Sequence, residues 1–154
     1  MWRCCKPRNG VLSMQHGYFQ RSFASELFHV KSVLFDALGF IRTQFAHIPE
    51  EDERELRLVI SELLLNAVIH GNRGDTRKAV SIALTVRGET VYGSVVDEGD
   101  GFDHASLLAS FSADCALDAE HGRGVRLACA LTDSLGFNTA GNAILFEKRV
   151  CVHE

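Results

Sequence analysis

Three short clusters in this sequence carry residues that can do chemistry rather than only pack. In the first, Glu62, Asn66 and His70 stand at i, i+4 and i+8 within the otherwise apolar stretch Leu58 to Ile69. Four-residue spacing aligns them along one side of a helix. A carboxylate there can take a proton, and an amide oxygen is a hard ligand for a divalent cation. The second cluster is Asp97-Glu98-Gly99-Asp100-Gly101-Phe102-Asp103, directly after a run with strand periodicity. A carboxylate fixed at a strand end can accept a hydrogen bond from an exocyclic amine, and the glycines let backbone approach a flat ligand closely. The third is Gly122-Arg123-Gly124 at the start of a helical pattern. Free N–H groups at a helix start and a guanidinium beside them suit a phosphate.

Each cluster alone is a weak signal. Polar residues four apart also describe a solvent-facing helix stripe, and Asp-Gly runs are common surface turns. The acidic segment lacks the alternating ligands and closing glutamate of an EF-hand loop. His70 reads as a structural histidine, and Cys129 as a small core residue.

The elements that must position these clusters can be read from periodicity. A first strand is expected around Gly17 to Phe23. Helical spacing follows through Leu27, Val30, Val33, Leu34, Leu38, Ile41 and Phe45, with Ser25 as N-cap. Pro49 and the acidic run Glu50 to Glu53 open a second helix reaching about His70, and Gly71-Asn72-Arg73-Gly74-Asp75 ends it. Val80, Ile82, Leu84 and Val86 alternate with smaller or polar residues, as in a strand with one buried face. Arg87 to Thr90 forms a turn, and Val91 to Val96 returns to deliver Asp97. Residues 98–124 hold at most a short helix near His104 to Phe111. A third helix runs from Gly124 to about Leu135, and strands near Phe137 and at Ala143 to Val150 flank a Gly141-Asn142 turn. This order predicts an α+β fold, with helices on one face of a largely antiparallel sheet.

Composition narrows the function classes. At 154 residues, one domain with a real core is expected: residues 1–16 as a loose extension and 17–154 as the domain. The net charge of −4 gives no support for nucleic acid as the main partner. No apolar run approaches the roughly 20 residues that cross a bilayer, and no apolar region follows the basic residues Arg3, Lys6 and Arg8. A cytoplasmic protein without signal peptide or membrane contact is expected. Five cysteines without paired spacing read as reduced thiols, not zinc ligands.

Taken together and in order, the clusters resemble the N, G1 and G2 boxes of the ATPase and kinase superfamily that includes gyrase, histidine kinases and MutL. The matching segments are Glu62 to Gly71, Asp97 to Phe102 and Gly122 to Leu127, within a span of roughly Ser22 to Val150. Spacing and length look most like the anti-sigma-factor serine/threonine kinase branch. The resemblance implies a Bergerat ATP-binding fold, a two-layer α/β sandwich with a mostly antiparallel mixed sheet. It implies ATP and Mg2+ as cofactors, with Asn66 on the magnesium and Glu62 as the catalytic base. By the same resemblance Asp97 receives the adenine amine, and Gly99, Gly101 and Phe102 belong to the motif lining adenine and ribose. Gly122, Arg123 and Gly124 hold phosphates, and residues from about Gly101 to Arg123 form a lid. The implied partners are an anti-anti-sigma (STAS-like) protein as phosphoryl acceptor, a sigma factor, and a second copy in a homodimer. The alternative is a non-catalytic module that binds ATP or ADP and a partner without phosphorylating it. A histidine-kinase catalytic domain fits less well. The segment around His29 lacks the acidic residue and proline of a phosphoacceptor box, and only one such helix is present.

Overall fold

The computed structural model describes residues 17–101 and 123–152. The expected N-terminal extension, the short helix near His104 to Phe111, Phe102 and Gly122 therefore lie outside the described residues. Along the chain come β1 (Gly17–Ala24), α1 (Leu27–Gln44), α2 (Glu50–Asn66), a π-helical turn (Ala67–Gly71), β2 (Ala79–Arg87) and β3 (Thr90–Asp97). After the undescribed segment follow α3 (Arg123–Leu131), β4 (Ser134–Phe137) and β5 (Ala143–Arg149). The strands form one sheet in the order β1-β2-β3-β5-β4, and every described pairing is antiparallel. The α+β sandwich expected from the sequence is the fold observed.

The period-two pattern of β2 sets the inner face of the sheet. Val80, Ile82, Leu84 and Val86 are all buried, and β3 turns Val91, Gly93, Val95 and Asp97 to the same side. The helices cover that face because their own stripes are apolar. Val33, Leu38 and Ile41 of α1 meet Leu56, Val59, Ile60, Leu63 and Leu64 of α2 in a single core. At about 25 cal/mol per Å2 of apolar surface, each fully buried leucine here contributes on the order of 2 kcal/mol. Two further contacts fix α2. Arg42 of α1 pairs with Glu53, and the Cys151 N–H donates to the Asp52 carboxylate at 2.9 Å.

Several local expectations are corrected. Ser25 is not the N-cap of α1: Glu26 occupies that position without a side-chain cap, and the buried Ser25 hydroxyl has no hydrogen-bond partner among the described residues. The Ser25 N–H instead donates to Lys78 O at 2.9 Å, which turns the chain out of β1. Leu27 is on the outside of α1 together with Phe28, whereas Phe23 and Val30 join the core. The third helix ends at Leu131 rather than near Leu135. Thr132 Oγ1 folds back on Ala128 O at 2.8 Å, and Leu135 is already paired with Phe146 in the sheet. Cys129 is exposed, because α3 buries its Val125 and Ala128 side and the next residue points away.

Candidate nucleotide site

The α-helical ladder of α2 stops at Asn66, four residues before the expected end, and widens into the π turn Ala67–Gly71. Asn72 N–H closes that turn on Ala67 O, five residues back, at 2.8 Å. The extra residue in the turn carries Gly71 toward the end of β3. Asp97 meets it there because it takes the last inward-facing place in the row Val91, Gly93, Val95. A carboxylate therefore continues an apolar row and lies under the helix layer.

The fit at this point is too close for side chains. A Cβ on Gly71 would fall on the Asp97 carboxylate, and one on Gly99 would fall on the Gly71 carbonyl. Gly99 N–H donates to Asp97 Oδ1 at 2.8 Å, which leaves Oδ2 as the oxygen nearer Gly71. Burial pushes the Asp97 carboxyl above the ordinary aspartate value, while the Gly99 N–H and the charge of Lys78 pull the other way. Gly101 adopts φ 80° and passes against Ala140 O, a path closed to a residue with a Cβ.

On the other side of the π turn a cleft opens between α2 and α3. Glu62, Leu65 and Asn66 line one wall, Ile69 and His70 of the π turn continue it, and Arg123, Gly124 and Leu127 face them. Glu62 and Asn66 are half-buried. The Glu62 carboxylate rests on Gly124 so closely that a Cβ there would collide with Oε2. An anion at this place is favoured by the positive end of α3.

The structure thus brings Glu62, Asn66, Arg123 and Gly124 to one cleft. It sets Asp97, Gly99 and Gly101 on the far side of the π turn, whose Gly71 touches both Asp97 and Gly99. The donor set is mixed in a useful way. An amide oxygen and a carboxylate on α2 face a guanidinium and a helix start on α3, and a buried carboxylate sits beside glycine backbone. Phosphates, a hard cation and a planar base with an amine fit those three places. His70, read from sequence as structural, is exposed and lines the cleft.

Sequence reasoning missed two residues that border Asp97. Asn72 is 1% exposed; its Nδ2 donates to Ala79 O at 2.9 Å and its Oδ1 accepts the Glu98 N–H at 2.8 Å. Asn142 accepts the Asp97 N–H on its carbonyl at 2.9 Å, and its Nδ2 donates to Asp97 O at 3.1 Å. Both stand in Gly-Asn pairs that read as ordinary turns; burial sets Asn72 apart, and its bonds to the Asp97 backbone set Asn142 apart.

The family described as the histidine kinase-like ATPase domain matches residues 23–148, most of the chain. A segment of 57 residues is 37% identical to a protein named anti-sigma F factor from Anoxybacillus flavithermus (strain DSM 21510 / WK1). That segment covers 36% of this chain and spans 39% of the length of that relative.

Proposed function

The chain belongs to the histidine kinase-like ATPase domain family, and from that premise we propose that it is an ATP-dependent serine/threonine protein kinase of the anti-sigma-factor type. Its acceptor is a small anti-anti-sigma (STAS-like) protein, and it holds a sigma factor in alternation with that acceptor. The observation that carries the reading is the cleft in which the Glu62 carboxylate, the Asn66 amide and the start of α3 lie together. Similarity to an anti-sigma F factor supports the choice of partner class.

In this reading Asn66 would hold Mg2+ through its amide oxygen, and the ion supplies charge neutralisation on the phosphates when bound. Arg123 and the backbone at the start of α3 would bind phosphate oxygens, with Gly122 completing that loop. Asp97 would accept a hydrogen bond from the adenine amine, beside Gly99 and Gly101, with Phe102 next in the same motif. Glu62 would take the proton of the acceptor hydroxyl as it attacks the terminal phosphorus, whose bond to the bridging oxygen breaks to release ADP. One helical turn separates Glu62 from Asn66, so one group can serve the nucleophile while the other serves the phosphates.

Partner binding has its own support on the outside of α1, where Phe28 and Phe35 are 81% and 71% exposed. Seven residues apart, they stand on one helix face, and large exposed apolar side chains favour an interface. A homodimer of this chain, working in the cytoplasm without direct nucleic-acid contact, completes the proposal. No described helix is long and apolar enough to cross a membrane.

The test is incubation of the protein with γ-labelled ATP and a panel of anti-anti-sigma proteins, beside Glu62→Ala. Label on a serine or threonine of one panel member, lost with Glu62→Ala, is the expected result. Transfer by Glu62→Ala at the rate of the unaltered protein would overturn the assignment of the base. Nucleotide binding without transfer to any member would favour a non-catalytic binding module.

A further inference from the structure

We propose that Asn72 and Asn142 are positioning residues that set the aim of the Asp97 carboxylate, and with it the choice between adenine and other bases. The inference rests on the reading of Asp97 as the acceptor for the adenine amine. Asp97 ends β3, where strand pairing gives out: its register partner on β2 is Val80, and the pairing of β3 with β5 stops one residue earlier, at Val96. Among the described residues its carboxylate forms no salt bridge and accepts one hydrogen bond, from Gly99 N–H. The direction of the side chain therefore depends on how the backbone from 97 to 99 is held.

That backbone is gripped from two sides. Asn142, in the turn before β5, takes both backbone groups of Asp97. Asn138 holds Asn142 in turn: its Nδ2 donates to Asn142 Oδ1 at 2.7 Å, and its Oδ1 accepts the Asn142 N–H at 3.0 Å. From the opposite side Asn72 accepts the next N–H, that of Glu98, while donating to Ala79 O on β2. The backbone N–H of Asn72 also closes the π turn on Ala67. One buried amide thus ties the turn that carries Gly71 to the loop that carries Asp97 and Gly99.

Only an amide suits position 72. It must donate and accept at once, on two part-buried backbone groups. A leucine of the same branching leaves both without this partner, and an ionised aspartate has no hydrogen to give Ala79 O. Neither asparagine lines the cleft between α2 and α3. Their effect passes through Asp97, so it should be felt by the base and not by the phosphates.

The experiment measures the dissociation constants of ATP and GTP, with Mg2+, for the unaltered protein and for Asn72→Ala, Asn142→Ala and Asp97→Asn. GTP carries a carbonyl where ATP carries the amine, so it reports binding without the Asp97 contact. Asn142→Ala keeps the backbone carbonyl that receives the Asp97 N–H and gives a second, milder variant should Asn72→Ala fold poorly. The expected result is that ATP weakens about tenfold in the asparagine variants while GTP changes less than twofold, so that the ATP preference falls. Loss of both nucleotides in equal proportion means a merely structural role and overturns the inference. If Asp97→Asn lowers the preference but the asparagine variants keep it, the inference fails while the reading of Asp97 stands. If Asp97→Asn keeps it as well, that reading fails and takes the inference with it.

Discussion

Replacing Asp97 by asparagine separates what the carboxylate costs the fold from what it contributes to binding. Gly99 N–H holds Oδ1, and an asparagine would keep its single oxygen there, since an N–H facing an N–H is repulsive. The amide nitrogen then takes the place of Oδ2 beside Gly71. A donor replaces an acceptor at the position assigned to the adenine amine. A hydrogen bond to a charged acceptor contributes about 1.5–3 kcal/mol, so ATP should bind roughly 10- to 100-fold more weakly. Stability moves the other way. Burial raises the Asp97 pKa in the folded protein, so between the unfolded and folded values the native state holds the extra proton. The contribution of this group is therefore full below its unfolded pKa and is lost as pH rises through the folded one. Above its folded pKa the ionised, desolvated carboxylate opposes folding, and Asp97→Asn should there unfold at the same denaturant concentration as the unaltered protein or a higher one. The gap between the two proteins should close as the pH falls toward 4. Calorimetric titration with ATP and urea melts at pH 7 and pH 4.5 measure both halves. ATP affinity within twofold of the unaltered protein, or a clear loss of stability at pH 7, would refute this reasoning.

Four other outcomes follow from the same geometry. Gly71→Ala drives a methyl group into the Asp97 carboxylate and should lower stability by about 1–3 kcal/mol in urea melts, with weakened ATP binding. Asn66→Ala should bind ATP with an affinity that no longer responds to Mg2+, seen by titration with and without EDTA. Glu62→Gln should keep ATP affinity within a few-fold yet slow phosphoryl transfer by about 10²–10⁴, the usual span for loss of a general base. Phe28→Asp should leave the unfolding free energy within about 0.5 kcal/mol of the unaltered protein, because the side chain is exposed, but should weaken self-association or partner capture on a sizing column.

The parts of this molecule written in short-range periodicity could be read without coordinates. Alternation from Val80 to Val86 gave the inner face of β2, and threes and fours gave α1 and α2. The acidic run after Pro49 marked where α2 begins. What could not be read depends on distant contacts. Spacing of 62, 66 and 70 assumes an unbroken α-helix, whereas the π turn exists where Gly71 docks on Asp97 and Gly99 from another part of the chain. Asp97 was legible as a strand-end carboxylate, but its inward direction depends on the pleat of β3 and the helix layer above it. Asn72 looks like any turn asparagine until its burial is known and Asn142 until its bonds to Asp97 are, and Ser25 looks like a cap until its hydroxyl is found without a partner among the described residues. The exposure of Cys129 and Leu27 could not be read for a related reason, since an apolar side chain near a helix end says little about which side the neighbours cover.

The π turn has a consequence for how this chain can vary in length. In a regular α-helix each residue advances about 100° around the axis. Wound as an ordinary helix, the same residues would swing every following one by about that angle. Gly71 would leave Asp97, a residue with a Cβ could arrive in its place, and His70 would rotate away from the cleft. Surface loops absorb changes of length at little cost, but this stretch is a gauge block between two motifs. Chains that keep both motifs but wind the residues between Asn66 and Gly71 as plain helix must drop one residue there or rebuild the end of β3 to match.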